Sequence, residues 1–193
     1  LIEAARRKWG GASWKEQPNG QESRIRLGGR LHPLVRPTTF MNRSGLAAEA
    51  ALRSEGASPG DLLVLLDDID LPLGKIRIRP EGGAGGHRGL QSVLETLGTT
   101  GVARLRVGVG RPEGARDVSA HVLEVFDEQE RERFAQVVQL CLNALGLALT
   151  RGLAAAMNRC NGLPPPWEAA AAGRRAGRVL AGGLDKPPAD GAK

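Results

Sequence analysis

The sequence predicts one α/β domain with a mixed, twisted sheet and helices on both of its faces. Its 193 residues suit a single domain. Strand-like and helix-like segments alternate along the chain, which is typical of α/β folds. The apolar run at residues 61–66 has the continuous character of a strand buried on both faces. We therefore expect residues 1–163 to form this domain.

The individual elements follow from the spacing of apolar residues and from the positions of Gly and Pro. Helical spacing predicts helices at residues 2–9, 42–55, 87–97, 127–150 and 153–160. Strands are predicted at residues 24–27, 34–36, 61–66, 75–79 and 105–109. Residues 10–20 are predicted to be a loop. From residue 164 the composition changes to Pro, Ala, Gly and Arg, which predicts a basic, mostly disordered tail at residues 164–193.

The chain is basic, with 27 Lys and Arg against 21 Asp and Glu and a formal net charge of +6. A basic protein favours polyanionic partners, of which nucleic acid is the first candidate. The aromatic content of 3% argues against a surface built mainly on stacked bases.

The two cysteines and the hydropathy pattern indicate a reducing compartment. Cys141 and Cys160 form no CxxC pattern, so we expect reduced, structural thiols and no zinc site. The sequence shows neither a signal-peptide pattern nor a run of about 18 apolar residues. We therefore expect a cytoplasmic protein that does not span a membrane.

Three carboxylates, Asp67, Asp68 and Asp70, follow directly on the apolar strand. Open α/β sheets bind their ligands where strands end, which favours a site at this point. A carboxylate such as Asp67 can orient a histidine and stabilise its protonated ring. The alternative is that all three are turn and cap residues before a proline. A metal site is conceivable, although the spacing matches no calcium loop.

A glycine-rich loop at residues 81–89 carries His87 at the start of a predicted helix. Glycine allows backbone amides to approach an anion closely, and the helix start adds a positive dipole end. The loop lacks the GK[ST] ending of a P-loop and the GxGxxG pattern, so it is no nucleotide fingerprint. It suits either a phosphate of a larger ligand or a flexible turn. His87 could accordingly contact a ligand or cap the helix.

Basic side chains alternate with isoleucines in the strand predicted after the carboxylates, where Lys75, Arg77 and Arg79 share one face. Arg88 and Arg106 would enlarge this face if their elements are neighbours of the strand. Such a patch suits a phosphate backbone, and the alternative is an ordinary solvated strand face.

Phe40 and Asn42 lie between the end of a predicted strand and the start of a helix. An exposed Phe beside an Asn can stack on a base or a ribose and hydrogen-bond to it. The alternative is that Phe40 belongs to the core and Asn42 caps the helix.

Five stretches together resemble the bacterial peptidyl-tRNA hydrolase family. They are PTTFMNRSG at residues 37–45, DDIDLPLG at 67–74, GGAGGHRGL at 82–90, RLRVGVGRP at 104–112 and NRCNG at 158–162. Their order and spacing also agree, and the resemblance covers residues 1–163. It implies hydrolysis of the ester bond between a peptide and its tRNA, without a metal or another cofactor. It also implies peptidyl-tRNA as the partner, and we expect a monomer.

The resemblance assigns roles to the residues described above. Asp67 matches the acid that holds the catalytic histidine in its basic form. Arg88 replaces the Asn that the family usually has there, although an arginine can still bond to phosphate. The positions that match tRNA contacts, including the basic clamp on the acceptor stem, are Phe40, Asn42, His87, Arg88, Arg77, Arg79 and Arg106.

The family opens with a strand, a GNPG loop and a TRHN motif whose histidine is the general base, and this sequence contains neither motif. We therefore expect the general base and the first central strand to lie before Leu1. Two other functions stay open. The same fold could be a non-catalytic RNA-binding protein, or the three carboxylates could serve a metal-dependent phosphoesterase.

Overall fold

The computed structural model describes residues 1–111 and 128–169 of the chain. The predicted α/β class is confirmed. The elements in chain order are α1 (Ile2–Lys8), β1 (Lys15–Gln17), β2 (Gly20–Leu27), β3 (Arg30–Pro37), a 3-10 turn (Met41–Arg43), α2 (Ser44–Glu55), a second 3-10 turn (Pro59–Asp61), β4 (Leu63–Asp68), β5 (Ile76–Arg79), α3 (Arg88–Leu97), β6 (Ala103–Gly108), α4 (Glu128–Arg151) and α5 (Leu153–Cys160).

Two local predictions differ from the structure. The predicted loop at residues 10–20 contains the short strand β1, whose residues are all exposed and show no apolar alternation. The strands β2 and β3 are longer than predicted and pair along their whole length, from Gly20 opposite Pro37 to Leu27 opposite Arg30. Antiparallel pairing through a tight turn extends strands into polar residues that the hydropathy pattern alone leaves out.

The strands pair as two three-stranded sheets. β1, β2 and β3 form an antiparallel sheet. The second sheet has the order β4-β6-β5, with β4 parallel and β5 antiparallel to β6, so it is mixed as predicted. Leu63, Val64 and Leu65 of β4 are only partly buried. The prediction that this strand is buried on both faces is wrong, because β4 lies at the edge of its sheet within the described part of the chain.

The long helix α4 packs against both sheets. With β5, β6 and α5 it forms a cluster of buried residues, which are Ile76, Ile78, Leu105, Val137, Cys141, Ala144, Ala156 and Cys160. With α1 and the antiparallel sheet it forms a second cluster, which consists of Ala5, Ile25, Leu34, Leu142 and Leu145. The segment Arg131–Arg151 is long and apolar enough to cross a membrane by length and composition. Since its buried side chains join both clusters, we interpret α4 as the core helix of the domain.

Cys141 and Cys160 lie in the first of these clusters as free, buried thiols, in line with the sequence analysis. Burial raises the pKa of the Cys141 thiol to about 12 and raises the pKa of Cys160 as well. Thiols with raised pKa values are poor nucleophiles and poor metal ligands, so both residues serve as small apolar groups of the core.

Helices α2 and α3 approach each other closely at Gly45. A Cβ atom there would lie 2.2 Å from Thr96 Oγ1 and 2.3 Å from the carbonyl oxygen of Ser92. The Gly45 N–H donates a hydrogen bond to Ser92 Oγ at 3.0 Å. This contact fixes the position of α3, whose first turn carries the candidate site.

A side chain completes the outer edge of β5. Asn161 Oδ1 accepts a hydrogen bond from the Ile78 N–H at 2.7 Å, and Asn161 Nδ2 donates to the Ile78 carbonyl at 3.0 Å. The amide makes the hydrogen bonds that a neighbouring strand would make, so the Ile78 N–H and carbonyl at this edge both have partners. Asn161 therefore supports the strand that carries Arg77 and Arg79.

The chain continues against the domain beyond α5. Trp167 packs onto the first cluster, and a Cβ atom on Gly74 would lie 2.1 Å from the Trp167 ring. The guanidinium of Arg133 lies 5.4 Å from the centre of the same ring. The tail at residues 164–193 stays a prediction, because residues 170–193 lie outside the described residues.

Asn161→Ala is expected to lower the free energy of unfolding by about 1–3 kcal/mol, because it leaves the Ile78 N–H and carbonyl without partners. Urea denaturation followed by circular dichroism measures the loss. Asn143→Ala is the matched control, since Asn143 is exposed on α4 and accepts a hydrogen bond from Gln139. Equal stabilities of the two variants would contradict the role of Asn161 at the sheet edge.

Candidate functional site

Asp67 and His87 meet at the carboxyl end of β4. His87 Nε2 lies 3.5 Å from Asp67 Oδ1. Asp67 lies on the strand, and His87 lies where the glycine-rich loop meets the start of α3. His87 Nδ1 accepts a hydrogen bond from the Leu90 N–H at 3.0 Å, so His87 is the N-cap of this helix. The cap interpretation of His87 is confirmed, the ring also faces a carboxylate, and the ligand contact stays a prediction.

Both ring nitrogens of His87 are occupied. Because Nδ1 accepts a backbone hydrogen bond, the hydrogen-bond network assigns the proton of the neutral ring to Nε2, which faces Asp67. Nδ1 is thus held by the helix backbone, and Nε2 is directed at Asp67. His87 is therefore suited to orienting Asp67 rather than to acting as a general base.

The imidazole also affects the ionisation of Asp67. The His87 ring lowers the pKa of the Asp67 carboxyl below its usual value, while partial burial acts in the opposite direction. Asp67 is consequently a carboxylate at neutral pH. An ionised carboxylate at a strand end can orient and charge-stabilise a further imidazole.

Four arginines lie on one face of β5 and β6. The antiparallel register places Arg77 directly opposite Arg106, and Arg79 directly opposite Arg104. Residues that are directly opposite share a face of the sheet. The isoleucines of β5 point to the other face and are 1–3% exposed. The structure thus confirms that the two strands are neighbours and brings the predicted Arg77, Arg79 and Arg106 together.

Arg104 is a member of this face that the sequence analysis missed. It is 3% exposed, and its Nη1 donates a hydrogen bond to the Gly82 carbonyl at 2.8 Å. Its Nε and Nη2 have no hydrogen-bond partner among the described residues. Burial, together with the charge of Arg106, lowers the pKa of Arg104. Arg104 anchors the start of the glycine-rich loop to β6, and its two-residue spacing from Arg106 was the signal in the sequence.

Arg88 does not lie on the strand face with these arginines. It is exposed in the first turn of α3, directly after His87. The structure therefore places Arg88 next to His87 at the start of a helix rather than on the sheet.

The three carboxylates have separate side-chain partners. Asp67 faces His87, Asp68 Oδ2 lies 2.5 Å from Arg106 Nε, and Asp70 Oδ1 lies 2.5 Å from an Arg111 guanidinium nitrogen. Asp68 Oδ1 also accepts a hydrogen bond from the backbone N–H two residues later, so the turn interpretation holds for Asp68. Within residues 1–111 and 128–169, no group of three His, Cys, Asp or Glu side chains is placed to hold a metal ion.

The segment before α2 lies against the start of α3. Phe40 is 80% exposed, so the alternative that it belongs to the core is wrong. Asn42 is exposed within a 3-10 turn and does not cap α2, because the N-cap is the next residue. A Cβ atom on Gly89 would lie 2.5 Å from Met41 Sδ. Glycine at this position therefore allows the segment to approach the helix that begins at the acid–histidine pair.

The fold and the site together define an α/β protein that combines an acid–imidazole pair with a cationic face suited to a polyanion. The family model described as peptidyl-tRNA hydrolase matches residues 1–168. The chain belongs to the peptidyl-tRNA hydrolase family.

Individual relatives agree with this assignment. A peptidyl-tRNA hydrolase of Synechococcus sp. (strain JA-3-3Ab) is 46% identical over 71% of this chain and 60% of its own length. One of Syntrophotalea carbinolica is 38% identical over 83% of this chain and 79% of its own length. The crystal structure of peptidyl-tRNA hydrolase from Acinetobacter baumannii gives a TM-score of 0.77 at 30% identity, covering 85% of this chain and 84% of that one. The chain spans about three fifths of the length of the two Synechococcus relatives it matches, at 60% and 61%.

His87→Asn tests the influence of the imidazole on Asp67. Asparagine is a strong N-cap residue, so the variant keeps the cap of α3 but removes the ring from the carboxylate. We expect the pKa of Asp67 to rise toward its ordinary value of 3.8. Carbon-13 NMR titration of the Asp67 carboxyl measures the shift. Asp61 is the internal control, because its pKa is lowered by hydrogen bonds from Ser58 and should not change in the variant.

The same change alters the pH dependence of stability. A lowered pKa in the folded state stabilises the fold above the ordinary pKa, and this contribution is lost as the pH falls through the folded value. His87→Asn should therefore reduce the acid-dependent loss of stability that Asp67 causes. An unchanged pKa of Asp67 would contradict the pairing.

Proposed function

We propose that this protein hydrolyses the ester bond between a peptide, or another N-blocked aminoacyl group, and tRNA. It thereby recycles tRNA from peptidyl-tRNA that is released during translation. The observation that carries this proposal is the Asp67–His87 pair at the end of β4 together with the arginine face of β5 and β6, in a chain of this family. A carboxylate–imidazole arrangement suits ester hydrolysis, and an arginine face suits a phosphate backbone.

Asp67 is the proposed orienting acid of the reaction. One of its oxygens faces His87, and its side chain is 38% exposed, which leaves room for a second imidazole. The family resemblance implies that the general base is the histidine of the TRHN motif, which is not among the described residues. This histidine takes a proton from water, and the water oxygen attacks the ester carbonyl carbon.

In the remaining steps, negative charge develops first on the carbonyl oxygen and then on the departing tRNA oxygen. Donors near Asn42 stabilise the oxyanion that forms when water attacks the carbonyl. The tetrahedral intermediate then collapses, the ester bond breaks, and the protonated base returns its proton to the departing tRNA hydroxyl. The products are tRNA and a peptide carboxylic acid, which releases its proton to water and becomes a carboxylate.

The tRNA is proposed to lie across β5 and β6. Arg77, Arg79 and Arg106 bind phosphates of the acceptor stem, because they share one face of adjacent strands. The residues proposed to contact the aminoacylated end, where the segment before α2 meets the start of α3, are Phe40, Asn42, His87 and Arg88.

The working form of the protein is proposed to be a cytoplasmic monomer whose partner is peptidyl-tRNA. The reaction is proposed to need neither a metal nor another cofactor. The arrangement of the carboxylates supports this, since Asp67, Asp68 and Asp70 each face a different side chain instead of converging on one point.

Hydrolysis of N-acetylaminoacyl-tRNA by the protein as its gene encodes it tests the reaction. Asp67→Asn is expected to lower kcat by about 10² to 10⁴, because the base loses its orienting charge. The Kd for tRNA should stay unchanged. Asp70→Asn is the control, since Asp70 lies in the same turn and contacts Arg111. Unchanged turnover would remove Asp67 from the mechanism, and tRNA binding by the wild type without turnover would favour a non-catalytic RNA-binding protein.

Charge reversal of Arg77 and Arg79 to Glu tests the binding face. We expect weaker tRNA binding and a salt dependence of log Kd that is shallower by about two units, because two phosphate contacts are lost. Fluorescence anisotropy across a salt series measures both. Reversal of Arg26 and Arg30 to Glu is the matched control, since both residues are exposed on the β2–β3 hairpin and the net charge changes equally. If the control variant loses as much affinity, the face is not specific.

A further inference from the structure

A buried carboxylate holds Arg106 from one side. The Asp68 side chain is 4% exposed and that of Arg106 is 26% exposed, and Asp68 Oδ2 lies 2.5 Å from Arg106 Nε. The register between β4 and β6 places Asp68 opposite Gly108, two residues beyond Arg106, so both side chains lie on the same face of the sheet. The two groups form an ion pair rather than a hydrogen bond, since Asp68 Oδ2 has no hydrogen-bond partner among the described residues. The ion pair involves Nε and leaves the two Nη groups of the guanidinium for other partners.

Like charges surround Arg106 on that face. Arg77 lies directly opposite on β5, and Arg104 lies two residues earlier on β6. Like charges directly opposite in a sheet repel each other, and long arginine side chains can avoid this by turning into solvent. Asp68 supplies the opposite charge, and its burial gives that charge a fixed position. The Nη2 of Arg106 is thereby directed toward Gly85 of the glycine-rich loop, where an added Cβ atom would lie 3.6 Å from it.

We propose that Asp68 is a positioning residue for tRNA binding, whose buried carboxylate fixes the Arg106 guanidinium beside Arg77 so that the pair can bind an RNA phosphate. This inference rests on the proposed function of the arginine face. It assigns to Asp68 a role that is separate from that of its neighbour Asp67, which faces the reacting bond.

Asp68→Asn separates the two contacts of the carboxylate. Asp68 Oδ1 accepts a hydrogen bond from the Asp70 N–H at 2.9 Å, and an asparagine oxygen can keep this bond. The asparagine NH₂ then replaces Oδ2, so Arg106 loses the negative charge with which it pairs and faces a donor group instead. The turn is retained while the arginine contact is lost. Asp70→Asn is the matched control, because it removes a carboxylate from the same turn that pairs instead with Arg111.

Two measurements on the 193-residue chain test the proposal. The first is NMR of the arginine Nε–H groups, in which Arg106 should give a signal protected from solvent exchange. Asp68→Asn should remove this signal, and Asp70→Asn should keep it. The second is binding of deacylated tRNA across a salt series. Asp68→Asn should weaken binding on the order of tenfold and make the salt dependence shallower by about one unit.

A double-mutant cycle shows whether Asp68 acts through Arg106. In an Arg106→Gln background, Asp68→Asn should cause no further loss of affinity, because the contact it removes is already absent. A merely electrostatic role of Asp68 gives the opposite result, since removal of a negative charge would tighten the binding of a polyanion.

The outcomes separate this inference from the proposed function. A protected Arg106 signal in Asp68→Asn, or unchanged or tighter tRNA binding by that variant beside a wild type that binds, overturns the positioning role alone. A wild-type chain with an ordered Arg106 that binds no tRNA overturns the proposed function and the phosphate contact with it. If Asp68→Asn does not fold, Arg106→Lys replaces it, because one ammonium group cannot contact Asp68 and a phosphate with the geometry of a guanidinium. Unchanged tRNA affinity of Arg106→Lys would then overturn the proposal.

Discussion

The register between β5 and β6 is the constraint on which the core and the candidate site both depend. It sets Ile78 opposite Leu105 on one face and Arg77 opposite Arg106 on the other. Because side chains alternate along a strand, a slip by one residue would bring arginines into the cluster under α4 and isoleucines to the opposite face of the sheet. The hydrophobic burial that stabilises the sheet therefore also places the cationic face, and Asn161 secures the same register from the outer edge of β5.

The acid–histidine pair depends on the same sheet through longer connections. β4 runs parallel to β6 and carries Asp67 as its last residue but one, while the glycine-rich loop after β5 leads to His87 at the start of α3. Arg104 of β6 holds the beginning of that loop through the Gly82 carbonyl. The close contact of α2 with α3 at Gly45 then fixes the helix that His87 caps. The sheet β4-β6-β5 therefore positions both the Asp67–His87 pair at a strand end and the arginine face on two of its strands.

The sequence predicted those helices and strands in which the spacing of apolar residues is regular within the element itself. The alternation at β5 and the short helix α5 were recognised because each shows its own periodicity, and the family motifs singled out Asp67 and the arginines. The strand β1 was missed because its three residues are polar and exposed. The burial of Arg104 and the contact of Asp68 with Arg106 could not be read from the sequence, because both depend on which strands become neighbours and in which register. The occupied nitrogens of His87 likewise follow from three-dimensional placement.

Arginine-specific footprinting tests the central claim, that RNA lies on the face formed by β5 and β6, most directly. The chain is treated with phenylglyoxal in the presence and absence of tRNA, and the modified residues are identified by mass spectrometry. We expect tRNA to slow the modification of Arg77 and Arg79 and to leave Arg26 and Arg30 of the β2–β3 hairpin unchanged. Protection of the hairpin arginines, with Arg77 and Arg79 reacting as they do without tRNA, would contradict the account.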